Sequence, residues 1–208
     1  MRIVALSDTH GMHERVQVPD GDLLLFAGDC SSQGREYEVA SFLHWLAALP
    51  HPHKVMIAGN HDFLFERNPE KALAMIPPCV IYLHDSGVTI EGLKIWGSPY
   101  SPRFFDWAFN CDRGEDIAQH WRLTPDGTDV LITHGPPAGI LDRTIQGDVT
   151  GCEDLLRHVE RVRPKLHVFG HIHEGYGMVD KDGTCFVNAC NADVRYRMRN
   201  LAVVVDLP

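Results

Sequence analysis

Five short apolar runs in this chain each end in a cluster of Asp, Asn or His. That pattern constrains the fold more than any other feature. Arg2-Ile3-Val4-Ala5-Leu6 opens onto Asp8-Thr9-His10, and Leu23-Leu24-Leu25-Phe26-Ala27 opens onto Gly28-Asp29. Lys54-Val55-Met56-Ile57-Ala58 leads into Gly59-Asn60-His61-Asp62. The runs 129–133 and 166–169 lead into His134-Gly135 and into Gly170-His171-Ile172-His173. Apolar runs this short, bounded by turn chemistry, read as buried strands. Layered α/β proteins bring such strand ends to one edge, where the following loops form a cleft.

Between the strands the periodicity changes. Val39, Phe42, Leu43, Leu46 and Leu49 recur at helical spacing over 35–49, and Pro50 stops that helix. A short helix is expected over 69–76, opening at Pro69, with others over about 112–122 and over 151–162. The stretch 79–97 reads as strand pieces with a hairpin, 176–190 as a hairpin turning at Lys181-Asp182-Gly183, and 201–206 as a last strand. The Pro-rich aromatic stretch 98–110 reads as a long ordered loop of the kind that often carries function. Arg195-Tyr196-Arg197-Met198-Arg199 reads as a solvated stretch before the last strand. Helix–strand alternation with hairpins between predicts an α/β fold of sheets covered by helices, not a pure parallel sheet. With 208 residues and no linker or low-complexity tract, a single domain over 1–208 is expected.

Composition removes several function classes. There are 28 acidic and 19 basic residues, a formal charge of −9, which argues against a stable nucleic-acid complex. No apolar run approaches the roughly 20 residues of a membrane span, so no membrane partner is expected. Met1 to Asp8 shows no signal-peptide pattern, and the six cysteines form no C-x-x-C. They read as reduced thiols, which predicts a cytoplasmic location.

The chemistry rests on the polar strings. A single D-x-H or H-x-H occurs by chance in many chains, but five strings in this order, each at a strand end, form a specific signal. They supply carboxylate, amide and imidazole groups, the mixed oxygen and nitrogen set that suits Zn, Mn or Fe. In an extended Asp8-Thr9-His10 or His171-Ile172-His173, side chains i and i+2 point the same way, so each segment offers two ligands.

The order D-x-H, G-D, G-N-H-D, a later His, then G-H-x-H resembles the calcineurin-like metallophosphoesterase superfamily, over residues 8 to 173. The strings Ile57–Asp62, Trp107-Ala108-Phe109-Asn110, Thr133–Pro137 and Phe169–Gly177 are similar to its branch of metallophosphoesterase-domain-containing proteins related to cyclic nucleotide phosphodiesterases. Some animal members of that branch carry Gly where His171 stands; this chain keeps the His, which implies a complete site. The resemblance implies a four-layer αββα sandwich, two mixed β-sheets flanked by helices. It implies two divalent metal ions (Mn, Fe, Zn or Ni, with Mn favoured). Asp8, His10 and His173 would hold one, Asn60, His134 and His171 the other, and Asp29 would bridge both.

The implied activity is a metal-dependent phosphoesterase. It would hydrolyse phosphodiesters of nucleotides or similar small esters by attack of a metal-bridging hydroxide. His61 would protonate the leaving group, and Asn60, His61 and His134 would touch substrate. Asp62 is a weaker candidate for orienting His61. His13, Trp107 and Asn110 are further candidates for substrate contact. The alternative reading is a catalytically weak nucleotide-binding or scaffold protein on the same fold.

Overall fold

The computed structural model describes residues 1–207. The chain first lays down β1 (Arg2–Leu6), β2 (Leu23–Ala27) and β3 (His53–Ile57), paired in parallel. These strands are almost wholly buried, as apolar runs covered on both faces must be. Between β2 and β3 runs α1 (Glu36–Ala48), which turns Val39, Phe42, Leu43 and Leu46 inward. Two short helices follow β3. The periodicity does not announce α2 (Phe63–Arg67); α3 (Pro69–Met75) starts at Pro69, with Asn68 as its cap. Then β4 (Ile81–Tyr82) adds to β3.

The second sheet begins with a hairpin, β5 (Ser86–Ile90) and β6 (Leu93–Ser98). Its turn residues Glu91 and Gly92 have φ of 47° and 87°, the left-handed pair that matches strand twist in a two-residue turn. The aromatic loop is closed by a short ladder of β7 (Ser101–Pro102) and β8 (Asn110–Cys111). After α4 (Glu115–Arg122) come β9 (Val130–Thr133), α5 (Glu153–Val162) and β10 (Leu166–Phe169). A second hairpin, β11 (Gly177–Lys181) and β12 (Thr184–Asn188), turns at Asp182-Gly183, as expected. Finally β13 (Val203–Asp206) returns to pair antiparallel with β1. Boundaries differ from the sequence reading by a few residues; α4, for example, starts only after Gly114 at φ 90°.

The strand orders are β13-β1-β2-β3-β4 and β11-β12-β10-β9-β6-β5, and both sheets are mixed. Ile3, Ala5, Leu25 and Ile57 of the first pack against Ile95, Val130, Val168 and Val187 of the second. Outside the first sheet, Leu24, Phe26 and Met56 meet α1. Outside the second, Leu131, Phe169 and Phe186 share a cluster with Ile117 and Trp121 of α4 and Leu155 and Val159 of α5. Each fully buried side chain of this size contributes about 1.5–3 kcal/mol. The result is the α/β four-layer αββα sandwich. Asp8, Asp29, Asn60, His134 and His171 each follow a strand, β1, β2, β3, β9 and β10 in turn. Among the described residues no helix is long and apolar enough to cross a membrane.

Candidate metal centre

The strand ends bring seven donor side chains within a few ångströms of each other. Asn60 Oδ1 lies 2.8 Å from His134 Nε2 and 2.8 Å from His171 Nδ1. His134 Nε2 is 3.4 Å from Asp29 Oδ2. His10 Nε2 is 3.8 Å from that same oxygen and 3.7 Å from Asp8 Oδ1. His173 Nε2 completes the set, 3.4 Å from Asp8 Oδ1 and 3.2 Å from His10 Nε2. Atoms each about 2.0–2.2 Å from a shared cation stand roughly 2.9–3.5 Å apart, so these separations have the scale of coordination edges. Asp29 Oδ2 faces both groups.

The hydrogen bonds behind the imidazoles decide which nitrogens are bare. His134 Nδ1–H donates to Ala27 O at 2.9 Å, and His173 Nδ1–H donates to Asp193 O at 3.1 Å. In the neutral ring each Nε2 then presents a lone pair to the centre. Converging lone pairs and carboxylates fit divalent cations.

The backbone overturns the expectation of extended segments. Asp8, His10, Asp29 and His171 have φ of 55°, 43°, 59° and 68°. Non-glycine residues seldom enter this region, and each such residue costs on the order of 1 kcal/mol. The i/i+2 argument therefore does not hold here; sharp left-handed turns aim Asp8 and His10. Surrounding bonds sustain them. Asp8 N–H donates to Gly28 O at 2.9 Å, His10 N–H to Asp29 O at 3.0 Å, and His171 N–H to Asp8 Oδ2 at 3.0 Å. At Gly59 a Cβ would fall 2.3 Å from Asp29 Oδ1, so only glycine lets this loop pass the carboxylate.

Charge follows burial and pairing. Burial alone would raise the Asp8 carboxyl, but in the metal-free protein the neighbouring imidazoles, His173 foremost, hold it well below its ordinary value. Asp29 is likewise lowered against its burial, mainly by His134 and His61. Burial pushes His10 and His171 down to about 4. His134, although buried, is raised to about 9 by Asp29. The two carboxylates thus stay ionised and demand positive charge beside them.

His61 stands beside the centre, its Nε2 4.0 Å from Asp29 Oδ2, and distance alone groups it with His10 and Asp29 as candidate donors. Its backbone N–H donates to Asp29 Oδ1 at 2.8 Å, and its Nδ1 pairs with Ser32 O at 2.7 Å. Trp107 packs tilted against its ring at 4.2 Å, and Ala108 N–H donates to Asn60 O at 3.0 Å, so the aromatic loop grips the Asn60-His61 turn. A cavity of about 380 Å³ opens over the centre, lined in part by Asn60, His61, Trp107, His171, His173 and Tyr196.

Other candidates lie elsewhere. His13 is buried against Phe42 and Trp45 and pairs with Ser41 Oγ at 3.2 Å, away from the cavity. Asn110 spends its amide on the carbonyls of Phe104 and Phe105, bracing the loop. Asp62 points away from the His61 ring. It accepts from the N–H groups of Gly59, Cys30 and Ser31, the Ser31 hydroxyl and the Cys30 thiol, tying the turns after β2 and β3 together.

Two neighbours of the centre escape the sequence reading. Cys190 donates its thiol to Asp8 Oδ2 at 3.1 Å. Tyr196, in the stretch read as solvated, lies against the rings of His10, His61 and His173. No local signal distinguishes either one, since Cys190 meets Asp8, and Tyr196 meets His10 and His61, across more than 130 residues of chain.

The calcineurin-like phosphoesterase family model matches residues 1–175. The chain belongs to the calcineurin-like phosphoesterase family. Human metallophosphoesterase domain-containing protein 1 is 42% identical across 100% of this chain and 71% of its own length. The UPF0046 protein K07C11.7 of Caenorhabditis elegans is 37% identical, across 100% of this chain and 76% of that protein. These relatives put this calcineurin-like phosphoesterase in the branch of the metallophosphoesterase domain-containing proteins. Solved structures share its fold. TT1561 of Thermus thermophilus superposes with a TM-score of 0.60 at 13% identity, over 90% of this chain and 88% of that one. GAP50, the anchor in the inner membrane complex of Plasmodium, gives 0.51 at 12% identity, over 96% and 75%.

Proposed function

We propose that this calcineurin-like phosphoesterase is a dinuclear metal-dependent phosphodiesterase acting on nucleotides or similar small phosphate esters. One observation carries the reading: seven oxygen and nitrogen donors converge beneath a single cavity, with Asp29 Oδ2 facing two groups of them. Asp8, His10 and His173 would hold one ion, Asn60, His134 and His171 the other, with Asp29 between. Mn, Fe, Zn and Ni all suit this donor set, and Mn is favoured. When bound, two such ions lower the pKa of water and neutralise charge on a phosphoryl group.

The rest falls to the protein. Asn60 and His61 line the cavity and would face the phosphate, with His134 buried beneath them. With Nδ1–H donating to Ser32 O, His61 would give a proton from Nε2 to the leaving oxygen as the imidazolium and be left as the Nδ1–H neutral ring. Trp107 packs on the ring and restrains it. The six free cysteines support a reducing, cytoplasmic setting. The test is hydrolysis of a bis-aryl phosphodiester by metal-quantified protein with added Mn²⁺. Turnover that scales with bound metal supports the proposal. Two bound ions without turnover on any diester or monoester would leave a binding protein in its place.

A further inference from the structure

Residues 176–207 lie beyond the span that the family model matches, yet one turn from this stretch closes onto the centre. Within the turn, Tyr196 N–H donates to Asp193 O at 2.8 Å and Asp193 N–H to Arg197 O at 2.9 Å. Asp193 Oδ1 accepts the N–H groups of Arg195 at 2.8 Å and Arg197 at 3.1 Å. The Arg197 guanidinium grips Asp193 Oδ2 through Nε at 2.8 Å and Nη2 at 2.6 Å. A two-pronged, charge-assisted clip of this kind fixes geometry as well as adding energy.

The clipped turn touches the centre at two points. Asp193 O accepts the Nδ1–H of His173, which commits His173 Nε2 to the side of Asp8 Oδ1, 3.4 Å away. The Tyr196 ring, carried at φ 56°, stands edge-on to His10 at 4.9 Å and to His173 at 5.1 Å. One contact sets the rotation of an imidazole; the other fills the space into which two imidazoles would swing. The clip itself sits at the surface, and Tyr196 is 50% exposed, so neither belongs to the packed core.

We infer that the Asp193–Arg197 turn is a positioning element for the ion assigned to Asp8, His10 and His173, with the Tyr196 ring as its working surface. The inference rests on the dinuclear reading and extends it to residues outside the motif strings. Groups that orient a metal-binding imidazole from behind change metal affinity by about 10–100-fold when removed. The ring contacts and hydrogen bonds of the turn do not reach Asn60, His134 or His171, so the ion those residues would hold serves as an internal reference.

The experiment titrates Mn²⁺ into the chelator-stripped full chain, following free Mn²⁺ by electron paramagnetic resonance, with thermal unfolding of each metal-free variant alongside. Asp193→Ala and Tyr196→Ala should each weaken one of two Mn²⁺ equivalents by about 10–100-fold and leave the other unchanged. Metal-free unfolding temperature should stay near that of the unmodified chain. Tyr196→Phe keeps the ring and should keep both affinities. Should Asp193→Ala fail to fold, the Tyr196→Ala and Tyr196→Phe pair decides. Unmodified affinities in Tyr196→Ala, or equal weakening of both ions together with a lower metal-free unfolding temperature, overturns the inference. Fewer than two Mn²⁺ equivalents in the unmodified chain overturns the dinuclear reading, and the inference with it.

Discussion

Gly170→Ala tests how tightly the centre is built. A Cβ at position 170 falls 2.0 Å from Asp8 Oδ2, 2.2 Å from Ser7 Oγ and 2.7 Å from Ser7 Cβ. Real Cβ atoms essentially never come closer than 3.0 Å, so Asp8 Oδ2 must retreat by about 1 Å. The serine hydroxyl can rotate. The carboxylate is held by His171 N–H at 3.0 Å and by the Cys190 thiol at 3.1 Å. Overpacking costs about 1–3 kcal/mol. Losing one charge-assisted hydrogen bond adds about 1.5–3 kcal/mol. The sum, about 2.5–6 kcal/mol, corresponds to a fall of roughly 5–24 °C in the melting temperature for a chain of this size. Gly135→Ala is the control: its Cβ meets Ser101 Cβ at 3.6 Å and His171 Cδ2 at 3.9 Å, which is ordinary contact. It should cost clearly less than Gly170→Ala. The assay is thermal unfolding of metal-free protein by circular dichroism, with bound Mn²⁺ counted separately. If Gly170→Ala melts and binds Mn²⁺ like the parent, the packing argument is wrong, as it also is if Gly135→Ala is the more damaging change.

The remaining expectations concern charge and proton transfer. His61→Ala should slow an alkyl phosphodiester by about 10²–10⁴-fold and an aryl one far less, at unchanged metal content; equal slowing of both removes the acid role. Asp29→Asn should lose both Mn²⁺ equivalents together in equilibrium dialysis, because Oδ2 faces both donor groups; loss of one alone contradicts the bridging assignment. His167 is buried, pairs with Thr133 Oγ1 at 2.8 Å, and is pushed down to about 3 by burial. Between about pH 6.5 and 3 the unfolded chain binds a proton that the folded chain refuses, so stability falls as the pH drops through that window. His167→Leu should flatten that slope by at most about 1.4 kcal/mol per pH unit, read from urea unfolding of metal-free protein; a steeper slope would refute it.

Apolar runs, their polar ends and the helical spacing of Val39, Phe42, Leu43 and Leu46 are local properties of the chain. They are readable because strand and helix burial write their periods directly into the residue order. The set Asp8, His10, Asp29, Asn60, His134, His171 and His173 is readable for the same reason, since each member sits at or just past the end of a legible strand. Residue type does not tell which aromatic-loop or histidine side chains face the cavity. Trp107 does, whereas His13 and Asn110 are spent on Ser41 and on loop carbonyls. Nor does composition separate a solvated Arg-rich stretch from a turn whose tyrosine reaches His10 and His173.

Sequence alone therefore settled which groups are available and at which strand ends they stand. Tertiary structure settled their aim. Left-handed turns at Asp8, His10, Asp29 and His171 exist only because distant strands supply the hydrogen bonds that hold them. Cys190 and Tyr196 meet the centre only because the chain leaves the second sheet beside β1, where Ser7 N–H donates to Asn191 Oδ1. Contacts between residues more than a hundred positions apart depend on how two sheets stack, and no local pattern encodes that.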